Sequence, residues 1–168
     1  MIYKEEEELE EEDSDTIDSY KKAIKIDPDY AGAHYNLGDA YDDLGKYEEA
    51  IESYKQAIKI DPDYSLAHNN LGLAYYKSGK YKEAIESYKH VIRIGPDYKS
   101  AHYNLGVAYG KLGKYEDAIE SYKHAIRIDP DAAAAHYNIG NAYRLSNDRD
   151  SALDQYKILK KLDTEKAN

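Results

Sequence analysis

Four histidines recur at one position of a repeated hexapeptide, and neutral imidazole is a common ligand of Zn²⁺. The hexapeptide is AHYNLG, AHNNLG or AHYNIG, and its copies lie 34 residues apart. Equivalent side chains of stacked helical repeats are about 10 Å apart, whereas Zn²⁺ lies about 2 Å from each ligand. We therefore predict packing or hydrogen bonding rather than metal binding for His34, His68, His102 and His136.

An asparagine follows each of these histidines two residues later. Its amide offers a donor and an acceptor, which match the N–H and C=O groups of a peptide bond. A row of such amides can hold an extended peptide whatever its sequence. The alternative is that the asparagines only cap or solvate a helix surface. They are Asn36, Asn70, Asn104 and Asn138.

Catalytic signatures are not found in the sequence. It has no nucleophile elbow, metalloprotease, phosphate-loop or dinucleotide-binding motif. The chain contains no cysteine, which excludes disulfides and thiolate metal sites. We expect no enzymatic activity and no cofactor.

Helices must position these side chains, because the apolar residues follow helical spacing. Ala67, Leu71 and Ala74 share one face of a first helix, and Ala84, Ile85 and Tyr88 share one face of a second. Gly and Pro residues break the pattern between the two. Each unit is therefore predicted to be a helical hairpin.

The repeat sets the predicted organisation of the chain. Residues 1–13 are an acidic segment, expected to be a solvated or frayed helix, and residues 14–30 are a half repeat with the second helix only. The full repeats are 31–64, 65–98, 99–132 and 133–166, of which the last is an atypical terminal repeat.

Small residues recur at the eighth and twentieth positions of each unit. Gly38 and Gly106 lie in the middle of first helices, where each costs about 1 kcal/mol relative to Ala. Ala50 and Ala118 follow twelve residues later, so the two backbones are expected to approach closely where the helices cross.

The pattern of small residues, with Tyr at the eleventh and twenty-fourth positions, Ala at the twenty-seventh and Pro at the thirty-second, resembles the tetratricopeptide repeat family over about residues 14–166. Similar arrays occur in O-GlcNAc transferases and bacterial scaffold proteins. The resemblance implies an all-α, right-handed superhelical solenoid of antiparallel helix hairpins. It also implies a concave groove lined by first helices, in which an Asn ladder holds the backbone of a partner.

The expected function is thus non-enzymatic binding of an extended peptide segment of a partner protein. Aromatic and apolar side chains beside the asparagines would receive its side chains. Asp39, Asp42 and Asp43 would favour a basic end of that peptide. The predicted peptide-binding residues are Tyr35, Asn36, Asn70, Leu73, Tyr76, Tyr103, Asn104, Val107, Tyr137 and Asn138.

Charge and hydropathy exclude other partners. The formal net charge is -10, and nine acidic residues with one lysine lie in residues 1–15, so the repeats themselves are nearly neutral. A reader of nucleic acid would need a basic face. No apolar run is long enough for a membrane span or a signal peptide, and we expect a cytoplasmic protein.

The alternative is a structural element that self-associates end to end through uncapped ends, or a spacer cut from a larger repeat protein. Self-association depends on whether anything covers the last helix. If nothing covers that helix, four apolar side chains are expected to be exposed. They are Leu153, Tyr156, Leu159 and Leu162.

Overall fold

The computed structural model describes residues 15–166, so the acidic segment 1–13 lies outside the described residues. Within this part the chain is helical from residue 15 to 26, which we call α1, and eight further helices follow. They are α2 (Ala31–Asp43), α3 (Tyr47–Ile60), α4 (Ser65–Lys77), α5 (Tyr81–Ile94), α6 (Lys99–Lys111), α7 (Tyr115–Ile128), α8 (Ala133–Leu145) and α9 (Arg149–Lys166).

Two compact units divide the chain, the first ending at Lys80 and the second beginning at Tyr81. In the first unit α3 packs against α2 and α4. In the second, each helix from α5 to α9 packs against the next. The predicted all-α solenoid class of helical hairpins is confirmed. We call α2, α4, α6 and α8 the first helices, and α3, α5, α7 and α9 the second helices.

Each unit has its own apolar core where a second helix meets the following first helix. In the first unit Ile51 and Tyr54 of α3 pack with Leu71 of α4. In the second unit Ile119 and Tyr122 of α7 pack with Ile139 of α8. Each side chain of this size contributes about 1.5–3 kcal/mol when fully buried. Packing between hairpins therefore adds to the packing within each hairpin.

The turns within the hairpins need one residue with positive φ. Gly45, Gly79 and Gly113 supply it with φ of 70°, 79° and 70°. In the last repeat Asn147 takes φ 66°, which asparagine tolerates better than most residues. The turn is thus kept although its sequence departs from the other repeats.

Two of the mid-helix glycines, Gly38 and Gly106, make room for an aromatic ring and not for the backbone of a second helix. A Cβ atom on Gly38 would lie 2.6 Å from the ring of Tyr54, and one on Gly106 would lie 2.7 Å from the ring of Tyr122. The predicted need for a small residue holds, but its cause is the tyrosine of the paired second helix.

Candidate functional site

The four repeated histidines bind the turns that precede their helices. In every case Nε2 lies within hydrogen-bond distance of the carbonyl oxygen of the proline six residues earlier. The distances are 3.0 Å for His34 and Pro28, 2.9 Å for His68 and Pro62, 2.8 Å for His102 and Pro96, and 2.8 Å for His136 and Pro130. The carbonyl can only accept, so Nε2 carries the proton and donates it.

Metal binding finds no support in the described residues. No group of three His, Cys, Asp or Glu side chains within residues 15–166 is placed to hold a metal ion. With Nε2 used on the turn, each histidine acts as a brace between the first helix and the loop before it.

A fifth histidine, His124 of α7, packs against one of the four repeated histidines. Its ring stacks on that of His102, with centroids 5.0 Å apart and planes 8° apart. Burial, then Arg127, then His102 lower the pKa of His124. The side chain of His124 therefore packs against the first helix α6.

A hydrogen-bonded cluster joins three helices of the first unit. Asp39 of α2 accepts from the hydroxyl of Tyr54 at 2.6 Å and from Nδ2 of Asn70 at 2.9 Å. The same Nδ2 donates to the hydroxyl of Tyr35 at 3.1 Å, and Oδ1 of Asn70 accepts from Asn69 at 3.1 Å. Both amide hydrogens of Asn70 are therefore engaged within the protein.

The tyrosines of this cluster hold their protons tightly. Burial is the main cause that raises the pKa of Tyr54, and the hydrogen bond and negative charge of Asp39 add to it. The pKa of Tyr35 is raised by burial first and then by Asp39. Asp39 is thus an internal acceptor in addition to any role at the surface.

The second unit repeats only part of this arrangement. Nδ2 of Asn138 on α8 donates to the hydroxyl of Tyr103 on α6 at 2.9 Å, which matches the pair of Asn70 and Tyr35. Val107 stands at the position equivalent to Asp39 and offers no acceptor. Tyr137 lies beside Asn138 in the sequence and is 62% exposed.

The remaining predicted residues occupy first helices with partly accessible side chains. Asn36 lies on α2, Leu73 and Tyr76 lie on α4, and Asn104 lies on α6, and all four are half-buried. The structure therefore brings together Tyr35 with Asn70, and Tyr103 with Asn138. We call the exposed and half-buried side chains of α2 and α4, and separately those of α6 and α8, the first-helix surfaces.

Two of the three aspartates expected at the acidic end of the site are engaged in internal contacts. Asp42 forms an ion pair with Lys77 of α4, and this lysine also lies 5.6 Å from the centre of the Tyr47 ring. Asp39 is held in the tyrosine cluster, and of the three only Asp43 is exposed. A basic end of a partner therefore has less to bind than the sequence indicates.

Sequence reasoning missed the central position of Asp39 and the part played by Tyr64. The ring of Tyr64 packs at a tilt against that of Tyr35, with ring centroids 5.2 Å apart. A signal for Asp39 was present, because the ninth position holds Asp in the first repeat and Leu73, Val107 and Asn141 in the others. The polar Asp39 thus stands where the second and third repeats carry the apolar residues Leu73 and Val107.

The arrangement of hairpins, turn-binding histidines and paired tyrosines defines a helical-repeat protein. The sequence model of the TPR repeat family matches residues 12–45, 38–79, 74–113 and 111–146, and the chain belongs to this family. Among curated proteins no sequence matches the chain. In the described residues no helix has the length and apolar character needed to cross a membrane.

Solved structures share this fold over nearly the whole chain. A crystal structure of MamA has 31% sequence identity and a TM-score of 0.90, and the match covers 96% of this chain and 95% of that one. MamA from Desulfovibrio magneticus RS-1 has 22% identity and a TM-score of 0.88, with 93% and 88% covered. YrrB, described as a TPR protein with an unusual peptide-binding site, has 22% identity and a TM-score of 0.81, with 92% and 80% covered.

Proposed function

We propose that this chain is a non-enzymatic protein interaction module that binds an extended peptide on its first-helix surfaces. The observation that carries the proposal is the pairing of an asparagine with a tyrosine of the preceding first helix. Because Tyr103 orients the amide of Asn138 at 2.9 Å, the second amide hydrogen and the oxygen are positioned for a peptide backbone. Asn70 offers less, because both its amide hydrogens are engaged and its oxygen already accepts from Asn69, which leaves one acceptor site.

Backbone contacts alone are too weak for stable binding. A hydrogen bond contributes about 0.5–1.5 kcal/mol net, whereas association costs about 4–15 kcal/mol. Side chains of the peptide must therefore be buried as well, against Leu73 and Tyr76 in the first unit and Val107 and Tyr137 in the second. YrrB supports the proposal only as an example of peptide binding within this fold.

A selection from a random peptide library against the intact chain tests this function. Enriched peptides are measured against the double variant Asn104→Ala with Asn138→Ala, which we expect to weaken binding about tenfold or more for two lost hydrogen bonds. Lys123→Ala, a substitution of an exposed residue on a second helix, is the matched control and should leave binding unchanged. Equal affinity of both variants would refute the role of the asparagines.

The last helix favours assembly as a second candidate function. Leu153 and Tyr156 are 53% and 63% exposed, as expected. Their equivalents in α7, Ile119 and Tyr122, are covered by α8 and are 8% and 5% exposed. The expectation was wrong for Leu162, which is buried at 9%, and Leu159 is half-buried. We propose that Leu153 and Tyr156 can pack end to end against another copy of the chain.

Light scattering over a wide range of protein concentration tests assembly. We expect the mean mass to rise with concentration for the native chain, and the double variant Leu153→Glu with Tyr156→Glu to stay monomeric because charges oppose apolar packing. A native chain that is monomeric at millimolar concentration would contradict this candidate without affecting the peptide proposal.

A further inference from the structure

One turn position differs among the repeats and leaves a cavity in the second unit. The residue directly before each first helix is an aromatic side chain three times and alanine once. These residues are Tyr30, Tyr64, Tyr98 and Ala132.

The first unit shows what the aromatic side chain does at this position. The ring of Tyr64 packs on that of Tyr35 with centroids 5.2 Å apart and planes tilted by 39°. Tilted aromatic pairs at such distances stabilise each other beyond the area that they bury. Tyr64 is half-buried and directly precedes α4, and its ring contacts the ring of Tyr35 of α2.

In the second unit the equivalent place is an open pocket of about 270 Å³ beside Tyr103. Alanines line most of it, and Ala125 and Ala135 among them are 0% and 1% exposed. Ala132, where Tyr64 stands in the first unit, is a third lining residue. Lys99 also lines the pocket. Its side chain is half-exposed and forms an ion pair with Asp129 at 2.8 Å.

Size and lining restrict what this pocket can take. Sites for drug-sized ligands usually have about 300–1,000 Å³, so the pocket suits one side chain rather than a whole small molecule. Its lining is apolar apart from Lys99, Ser100 and the hydroxyl of Tyr103, and that hydroxyl already accepts from Asn138. A charged group would lose its hydration there without a buried partner.

We propose that the pocket beside Tyr103 receives an aromatic side chain, Phe or Tyr, of a peptide bound to the first-helix surface of the second unit. The ring of the peptide packs on Tyr103 as Tyr64 packs on Tyr35. This inference rests on the proposed function and specifies the class of ligand, because it requires an aromatic residue in the bound segment. Tyr103, already expected to contact the peptide, becomes one wall of a side-chain pocket.

The test uses two substitutions, one that fills the pocket of the second unit and one that opens an equivalent pocket in the first unit. Ala132→Tyr places at this turn the residue that the other three turns carry, so it should fold and close the pocket. Tyr64→Ala removes the ring over Tyr35 and should open a second pocket in the first unit. The probe is p-cresol, the side-chain analogue of tyrosine, and its binding is followed by the methyl NMR signals of the alanines.

Native protein should bind p-cresol with a dissociation constant on the order of 1 mM, as expected for a ligand of this size. Shifts should be largest for Ala125 and Ala135. Ala132→Tyr should bind at least tenfold more weakly, and Tyr64→Ala should show a second set of shifts at Ala57 and Ala67. Unchanged binding by Ala132→Tyr, or shifts confined to other parts of the chain, would overturn the inference.

Peptides from the library selection separate this inference from the proposed function. If the inference holds, enriched peptides share one aromatic residue, and its replacement by Ala weakens binding to native protein about tenfold or more but hardly matters for Ala132→Tyr. Peptides that bind the first helices without an aromatic residue would refute the pocket and leave the proposed function standing. Binding of p-cresol without any enriched peptide would refute the proposed function while the pocket itself remained.

Discussion

At the scale of single residues, the repeated histidine and tyrosine side chains connect elements that the backbone alone would leave loosely joined. Each histidine fixes a proline carbonyl of the preceding turn, and Asp39 joins Tyr54 and Asn70 from two other helices. Buried polar groups of this kind must be paired, since an unpaired partner costs about 1–3 kcal/mol. Their effects are therefore measurable as stability.

His68→Ala should lower the free energy of unfolding by about 1–3 kcal/mol, because it removes a buried hydrogen bond and leaves a cavity. His34→Ala is the matched control, since His34 makes the same contact with Pro28 from a more exposed place and should cost less. Urea unfolding of both variants measures the difference. A negligible loss for His68→Ala would contradict the bracing role, and equal losses for the two variants would contradict the effect of burial.

Alkaline pH should destabilise the first unit through Tyr54. The raised pKa of this buried tyrosine means that the folded protein keeps the proton after the unfolded chain loses it near pH 10. Stability should fall as the pH rises above about 10. Tyr54→Phe should be less stable at pH 7, since it loses the bond to Asp39, yet its stability should decline less steeply between pH 9 and 11. If the urea midpoints of the native chain and of Tyr54→Phe declined equally between pH 9 and 11, the loss of stability would not be due to Tyr54.

At the scale of helices, packing depends on which glycine faces a ring. Gly106 and Gly110 both lie in α6, but a Cβ on Gly106 would meet the ring of Tyr122 at 2.7 Å, whereas nothing lies within 4 Å of one on Gly110. Helix propensity favours Ala over Gly by about 1 kcal/mol at either position. Replacing each glycine by Ala therefore distinguishes the effect of helix propensity on stability from the effect of packing, within one helix.

Gly110→Ala should stabilise the protein by up to about 1 kcal/mol. Gly106→Ala should destabilise it by about 1–3 kcal/mol, because overpacking against Tyr122 outweighs the same gain in propensity. Thermal unfolding of the two variants checks the opposite signs. Stabilisation by Gly106→Ala would show that the Tyr122 ring moves aside freely.

Helices and turns were predictable from the sequence because they follow local, repeated patterns. Gly45, Gly79 and Gly113 lie in turns, where Gly residues were expected to break the helical pattern, and the hairpins follow the apolar spacing. The Asp39 cluster was not predictable, because it depends on which hydroxyl and amide reach one carboxylate across three helices. The pocket beside Tyr103 likewise depends on a missing ring at Ala132, which the sequence shows only when a neighbouring repeat is compared in space.

At the scale of the whole molecule, the chain is a TPR protein whose two units each present a surface of first helices. Second helices face their cores with alanine and tyrosine, and first helices carry exposed apolar side chains of their own. Tyr137 and Leu66, 62% and 47% exposed, are examples. Peptide recognition by these side chains is our proposal, and the cytoplasmic location stays a prediction.

Chemical-shift mapping of a selected peptide on the isotopically labelled chain tests the central claim most directly. The account predicts that amide signals of first helices, among them those of Asn104, Val107 and Asn138, move with saturating peptide while those of the second helices stay nearly fixed. Shifts confined to α3, α5 and α7 would contradict it.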